Sequence, residues 1–230
     1  MPTTVDRGWI GEKKVDLEQI KSDPYILALM KMSDRQIEVM GYTEHGLRHA
    51  NITSDYAMKI CRSLGLNDYE TETASIATYL HDIGNLTGRE NHGQTGAVLV
   101  GQFLLSYGAK PDQLAEILTA ISNHDDDPPI IATKTTAICI IADKADVNHT
   151  RVRKTANIQT DIHDRVNFAV LDSVIEVSEG FIILNLTLNP SIAQAADYLE
   201  IFAGRMQAMR KSAKYLGCEF QLIINGVRII

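Results

Sequence analysis

The sequence predicts a mainly α protein: a helical bundle followed by a small C-terminal α+β unit made of a short antiparallel sheet and one long helix. Two observations carry this expectation. From about residue 23 to 150, apolar residues recur at three- and four-residue spacing between glycine and proline stops. From about residue 160 the period shortens to the β-branched alternation of strands. The expected division is residues 1–155 for the helical unit and 156–230 for the C-terminal one.

Residues 1 to about 22 are polar and weakly patterned and read as a loosely held lead-in. Asp23-Pro24 has the form of an N-cap followed by proline at the first helical position. It opens a short helix through Ile26 and Met30, and Ser33-Asp34 is expected to restart a second that closes at Gly41. The segment Y-T-E-H-G-L-R-H-A enters a longer helix that stops at Gly65. Asn67 or Asp68 can cap the next, whose Ile76, Tyr79, Leu80 and Ile83 fall at helical spacing. A polar loop after Gly84 leads to a helix from His92 to Gly108. Pro111 begins another, which places Leu114, Ile117, Ile121 and His124 on one face. The stretch from Thr135 to about Asn148 is apolar nearly all round at its centre, the mark of a buried helix. Strands are expected at Val166–Val177 and Phe181–Leu188, then a helix over Ser191–Leu216 with Met206 and Met209 in its core stripe. A last strand through Phe220, Leu222 and Ile224 ends at Asn225-Gly226, a strong hairpin signal.

The formal net charge of −7 argues against a nucleic-acid-binding surface, so no DNA binding is expected. Cys61, Cys139 and Cys218 are widely spaced and odd in number, so no disulfide framework is indicated. With no signal-peptide pattern and no run of transmembrane length, a soluble cytoplasmic protein is expected.

The histidines and acids are not scattered. His45 and His49 are one helical turn apart, His81-Asp82 ends one helix, His92 begins another, and His124 extends an apolar face. Asp143 follows I-C-I-I-A directly, where a carboxylate needs strong compensation of the kind a divalent cation provides. Imidazole plus carboxylate without thiolate suits Mn, Fe, Co, Ni or catalytic Zn, and Mg less well.

The ordered set His49, His81-Asp82 and Asp143 on successive helices resembles the HD-domain superfamily of metal-dependent phosphohydrolases, over roughly residues 40 to 150. The H-x-x-x-G of His92 to Gly96 and the S-N-H-D of residues 122–125 resemble the extra histidines of two-metal members. The resemblance implies an HD-type bundle in which His49, His81, Asp82 and Asp143 hold one divalent ion. His92 and His124 help hold a second, with Asp82 bridging, and Mn or Fe is favoured. Asn85 stands where a lysine often follows the motif, and no G-Y-P follows His124, which argues against cyclic-di-GMP as substrate.

The reaction so implied is hydrolysis of a phosphomonoester or phosphodiester, with a nucleotide as the expected substrate. Asp82 and the cations Lys144 and Arg48 are the expected catalytic groups, and His45, Arg89, Arg151 and Arg153 the expected substrate contacts. His163-Asp164 repeats the dipeptide but is read as a polar turn. Two alternatives share the scaffold: a di-iron oxygenase, and a binding module that senses a nucleotide. The C-terminal unit is expected either to lid the site or to form a homodimer.

Overall fold

The computed structural model describes residues 15–153, 158 and 161–230. Its helices are α1 (Leu17–Ser22), α2 (Pro24–Val39), α3 (Leu47–Ser63), α4 (Asp68–Leu80), α5 (His92–Ser106), α6 (Pro111–Asn123), α7 (Lys134–Ala145), α8 (Ile162–Ala169) and α9 (Ala195–Tyr215). Four strands, β1 (Val170–Ser178), β2 (Phe181–Leu188), β3 (Glu219–Ile224) and β4 (Val227–Arg228), form one sheet in that order. Among the described residues no helix is long and apolar enough to cross a membrane.

The middle of the molecule is made by α4 and α7, which are buried on every side. Both help to build two apolar cores. One joins α1, α2, α4, α5 and α6, and the other joins α3, α4 and α7 to the sheet and α9. α7 can occupy this place because it is apolar all round. α4 can because its buried Thr73, Ser75 and Thr78 return their hydroxyls to carbonyls one turn earlier. Its start is fixed by the reciprocal Asn67–Glu70 capping box.

Several local expectations give way to the structure. The described part of the lead-in is held: Asp16 caps α1, Val15, Leu17 and Ile20 are buried, and the Leu17 amide donates to Glu72. One turn of helix is too short to show a period. Calls on residues 1–14 lie outside the described residues. α2 does not break at Ser33; that hydroxyl is buried and donates to the Asp82 carbonyl, so it ties two helices rather than starting one. α3 begins only at Leu47 with Gly46 as its cap, so His45 precedes the helix instead of sharing a face with His49. Residues 162–169 are helical because Asp161 accepts from the amides of His163 and Asp164, and the strand starts at Val170. His163-Asp164 therefore lies in the first turn of α8. α9 starts at Ala195 and departs from helical geometry at Phe202.

The sheet is mixed, not purely antiparallel. β1 and β2 form a hairpin turning at Glu179-Gly180, both at positive φ, and β3 and β4 turn at Asn225-Gly226 in the same way. β2 and β3 run parallel because α9 carries the chain back to the starting edge between them, the connection that parallel strands require. The C-terminal unit expected at 156–230 is laid against α3 and α7 and shares its core with them. Tyr198, Met206 and Met209 of α9 belong to the same apolar cluster as Ile138, Ile141 and Ala142 of α7.

Candidate metal centre

Five elements deliver six side chains to one buried point. His49 comes from the first turn of α3, and His81 is the C-cap of α4 with Asp82 next to it. His92 is the first residue of α5, His124 is the C-cap of α6, and Asp143 lies in the last turn of α7. All six are at most 8% exposed.

Two glycines allow the elements to meet. Gly84 follows Asp82 in the 3₁₀ turn Ile83–Thr87, and a Cβ there would lie 1.9 Å from the His92 carbonyl oxygen and 2.4 Å from the Gly96 nitrogen. A Cβ on Gly96 would in turn meet the Gly84 nitrogen at 3.2 Å. The glycines of H-D-I-G and of H-x-x-x-G thus press backbone against backbone, which sets α5 beside the end of α4.

Each imidazole is oriented through its Nδ1. His81 Nδ1 faces the Thr78 carbonyl at 2.6 Å, His124 Nδ1 the Ile121 carbonyl at 2.7 Å, and His92 Nδ1 the Arg89 carbonyl at 3.0 Å. His49 Nδ1 faces the Asp146 carboxylate at 2.7 Å. An oxygen acceptor at each Nδ1 requires the proton there, so that the ring in its neutral, ligating form carries its lone pair on Nε2. The four Nε2 atoms point inward: His49 and His81 are 3.2 Å apart, His92 and His124 3.0 Å apart. Two lone pairs at that distance repel each other unless a cation lies between them.

The carboxylates complete the set. Asp82 Oδ2 lies 3.1 Å from His81 Nε2 and 3.6 Å from His49 Nε2, while its Oδ1 lies 3.3 Å from His92 and 3.8 Å from His124. Asp143 Oδ1 is 3.2 Å from His49 and 3.6 Å from His81. Asp82 Oδ2 is buried without a hydrogen-bond donor. Candidate metal groups fall out as His49–His81–Asp82, His81–His124–Asp143 and Asp82–His92–His124, with donor atoms within 4.8 Å of one another in each. These residues fit a divalent ion: the donors are nitrogen and carboxylate oxygen, preoriented and buried. Burial opposes ionisation of Asp82 and Asp143, but His81 beside Asp82, and Lys144 beside Asp143, hold both carboxyls well below their usual range. Burial and the neighbouring His81 and His92 push His124 down to about 3, so it stays neutral and able to ligate.

The cations sort into two places. Lys144 and Arg89 lie beside the cluster, Lys144 buried and Arg89 partly exposed. Lys144 Nζ contacts Asp143 at 2.8 Å and Asp125 at 2.5 Å, and Arg89 contacts Asp125 at 2.6 Å and His92 Nε2 at 3.1 Å. Asp125 bridges these two cations.

Three other arginines are occupied behind the cluster or away from it. Arg48, expected beside phosphate, grips Asp146 with two nitrogens at 2.9 and 3.1 Å. Arg151, expected at the substrate, is 2% exposed and is spent on the carbonyls of Glu44 and Asp146. Arg153 is held by Asp34. Each is thus engaged in holding loops around α2, α3 and α7. His45 donates through Nδ1 to the Thr43 carbonyl at 2.7 Å, and its ring sits 5.6 Å from that of His49 without joining a ligand group.

Asp146, which orients the His49 ring, is absent from the sequence expectations. It lies one turn beyond Asp143, and this D-x-x-D spacing at a helix end was the available signal. The carbonyls of Thr78, Arg89 and Ile121 leave no side-chain signal at all.

No curated protein matches the chain. The HD domain model matches residues 46–201, beyond the expected limit near 150, through the β1–β2 hairpin and into α9. With more than half its length so matched and its histidines and aspartates gathered as described, the chain belongs to the HD-domain family, a superfamily of metal-dependent hydrolase type.

Proposed function

We propose that the protein is a metal-dependent phosphohydrolase acting on a nucleotide or another phosphomonoester or phosphodiester. The observation that carries this reading is the convergence of four Nε2 atoms and two carboxylates beside Lys144 and Arg89. A divalent ion in such a cage supplies a water acidic enough to act near neutral pH and withdraws charge from a phosphoryl oxygen.

The chain's own residues do the rest. Asp82 presents one oxygen to the His49–His81 pair and the other to the His92–His124 pair, which suits it to bridge two ions. Lys144 and Arg89 offer positive charge beside the cluster, where the equatorial oxygens of a phosphoryl group gain charge as the leaving group departs. Asp125 keeps both cations in place. The buried imidazoles, each locked by its Nδ1, exclude water from behind and keep the donor set rigid. A di-iron oxygenase could use the same ligands; Lys144 and Arg89 beside them, held by Asp125, offer donors suited to a phosphoryl group.

Asp82→Ala tests the proposal. Metal content, read by elemental analysis, should fall to background for both groups, and phosphoester turnover should fall at least about a thousandfold, roughly 4 kcal/mol of barrier. The far-ultraviolet helical signal should persist. Retained turnover by a folded Asp82→Ala protein would reject the scheme, whereas oxygen uptake with bound iron and no phosphate release would move the assignment to the oxygenase.

A further inference from the structure

Five cations around the cluster each face a carboxylate, and Arg205 on α9 does not. Arg48 and Arg151 face Asp146, Arg89 faces Asp125, Lys144 faces Asp143 and Asp125, and Arg153 faces Asp34. Arg205 is partly buried, and among the described residues it makes neither an ion pair nor a hydrogen bond. Its guanidinium lies over the Phe202 ring, 4.5 Å from the centroid.

Position in α9 makes this informative. Tyr198, Phe202, Arg205 and Met209 lie at helical spacing on the face turned towards α7, whereas Arg210, Lys211 and Lys214 are exposed. α7 is the helix that carries Asp143 and Lys144. Arg205 lies within electrostatic reach of Asp143, Asp125 and Arg151, and Lys144 feels Arg205 as a neighbouring positive charge. Next to it the Tyr198 hydroxyl is buried without a partner. Taking a charge partly out of water without a direct ion pair is unfavourable, so a guanidinium held by stacking alone, with its donors unused, is poised for an anion that arrives from outside. Arg205 also lies beyond the residues matched by the family model, which end at 201.

We propose that Arg205 is a substrate-recognising residue: it binds a second anionic group, such as a further phosphate that is not cleaved, and so selects substrates bearing two phosphates over those bearing one. This rests on the phosphohydrolase reading for its chemistry, but its test does not. In the Mn-loaded full chain, calorimetric binding of inorganic pyrophosphate and of orthophosphate would be compared between wild type, Arg205→Met and Arg205→Lys.

Pyrophosphate should bind the Met variant at least about tenfold more weakly, while orthophosphate should change by less than about twofold, because one charge-assisted contact is lost from one ligand only. The Lys variant keeps the charge without the two-pronged geometry and should fall between, so it carries the test should the Met variant not fold. Unchanged pyrophosphate binding, or equal loss for both anions, would overturn the proposal. A phosphoester screen on the same samples separates the two readings. Pyrophosphate discrimination without turnover would retire the hydrolase and keep the anion site. Turnover with no Arg205 effect would do the reverse.

Discussion

The imidazoles of the cage are oriented by two different means. His81 and His124 stand at helix C-caps, where the last carbonyls have no amide partner within the helix, and each ring claims such a carbonyl three residues back. The helix end thereby supplies the ligand and its anchor together, with no other side chain involved. His49 sits within α3 and borrows a carboxylate from outside, Asp146, which Arg48 and Arg151 hold in turn. Burial works against charge on Asp146, yet His49 and the two arginines keep its carboxyl well below the usual range. One anchor is built into backbone geometry and cannot be removed by substitution at the acceptor. The other is a chain of charges and can be.

The two halves of the cage differ in charge. His49 and His81 each lie within 3.6 Å of both Asp82 and Asp143, whereas His92 and His124 have Asp82 at 3.3 and 3.8 Å, and Asp143 joins His124 only in the wider His81–His124–Asp143 group. An ion on the second side therefore meets less negative charge and should leave first.

Gly84→Ala should have the largest effect, because it pushes the halves apart: the new methyl meets backbone atoms of His92 and Gly96 that cannot turn aside. A loss of about 3 kcal/mol or more in denaturant unfolding is expected, at the upper end of overpacking costs. A variant as stable as wild type would show that the contact between the glycines is not needed. His124→Ala comes next. Titration should show the tighter ion retained and one metal equivalent lost, so loss of both would erase the distinction in charge. Asp146→Asn is the smallest and the most selective. It should weaken the His49 side about 10- to 100-fold in metal affinity, the usual cost of losing such a buttress, with little effect on the His92 side. Equal weakening of the two would mean that the cage behaves as one unit.

The clustered side chains were legible where they break a local rule: a carboxylate after an apolar run, a histidine on an apolar face, a polar pair at a helix stop. The bundle was legible through helical periodicity and its punctuation. The parallel β2–β3 pair was not, since strand direction follows from where α9 returns the chain. Nor was the destination of Arg48, Arg151 and Arg153, because a basic residue reads alike whether it meets substrate or a buried carboxylate. Asn225-Gly226, whose hairpin is set by two adjacent residues, emerged as expected.

The apolar cluster that runs from α7 into the sheet and α9 has a consequence for dissection of the protein. A chain cut at residue 155 would uncover Ile138, Ile141 and Ala142, the underside of the helix that presents Asp143. Such a fragment would lose the support of one cage wall along with the appendage, so the shorter piece should be prone to aggregate rather than bind metal by itself.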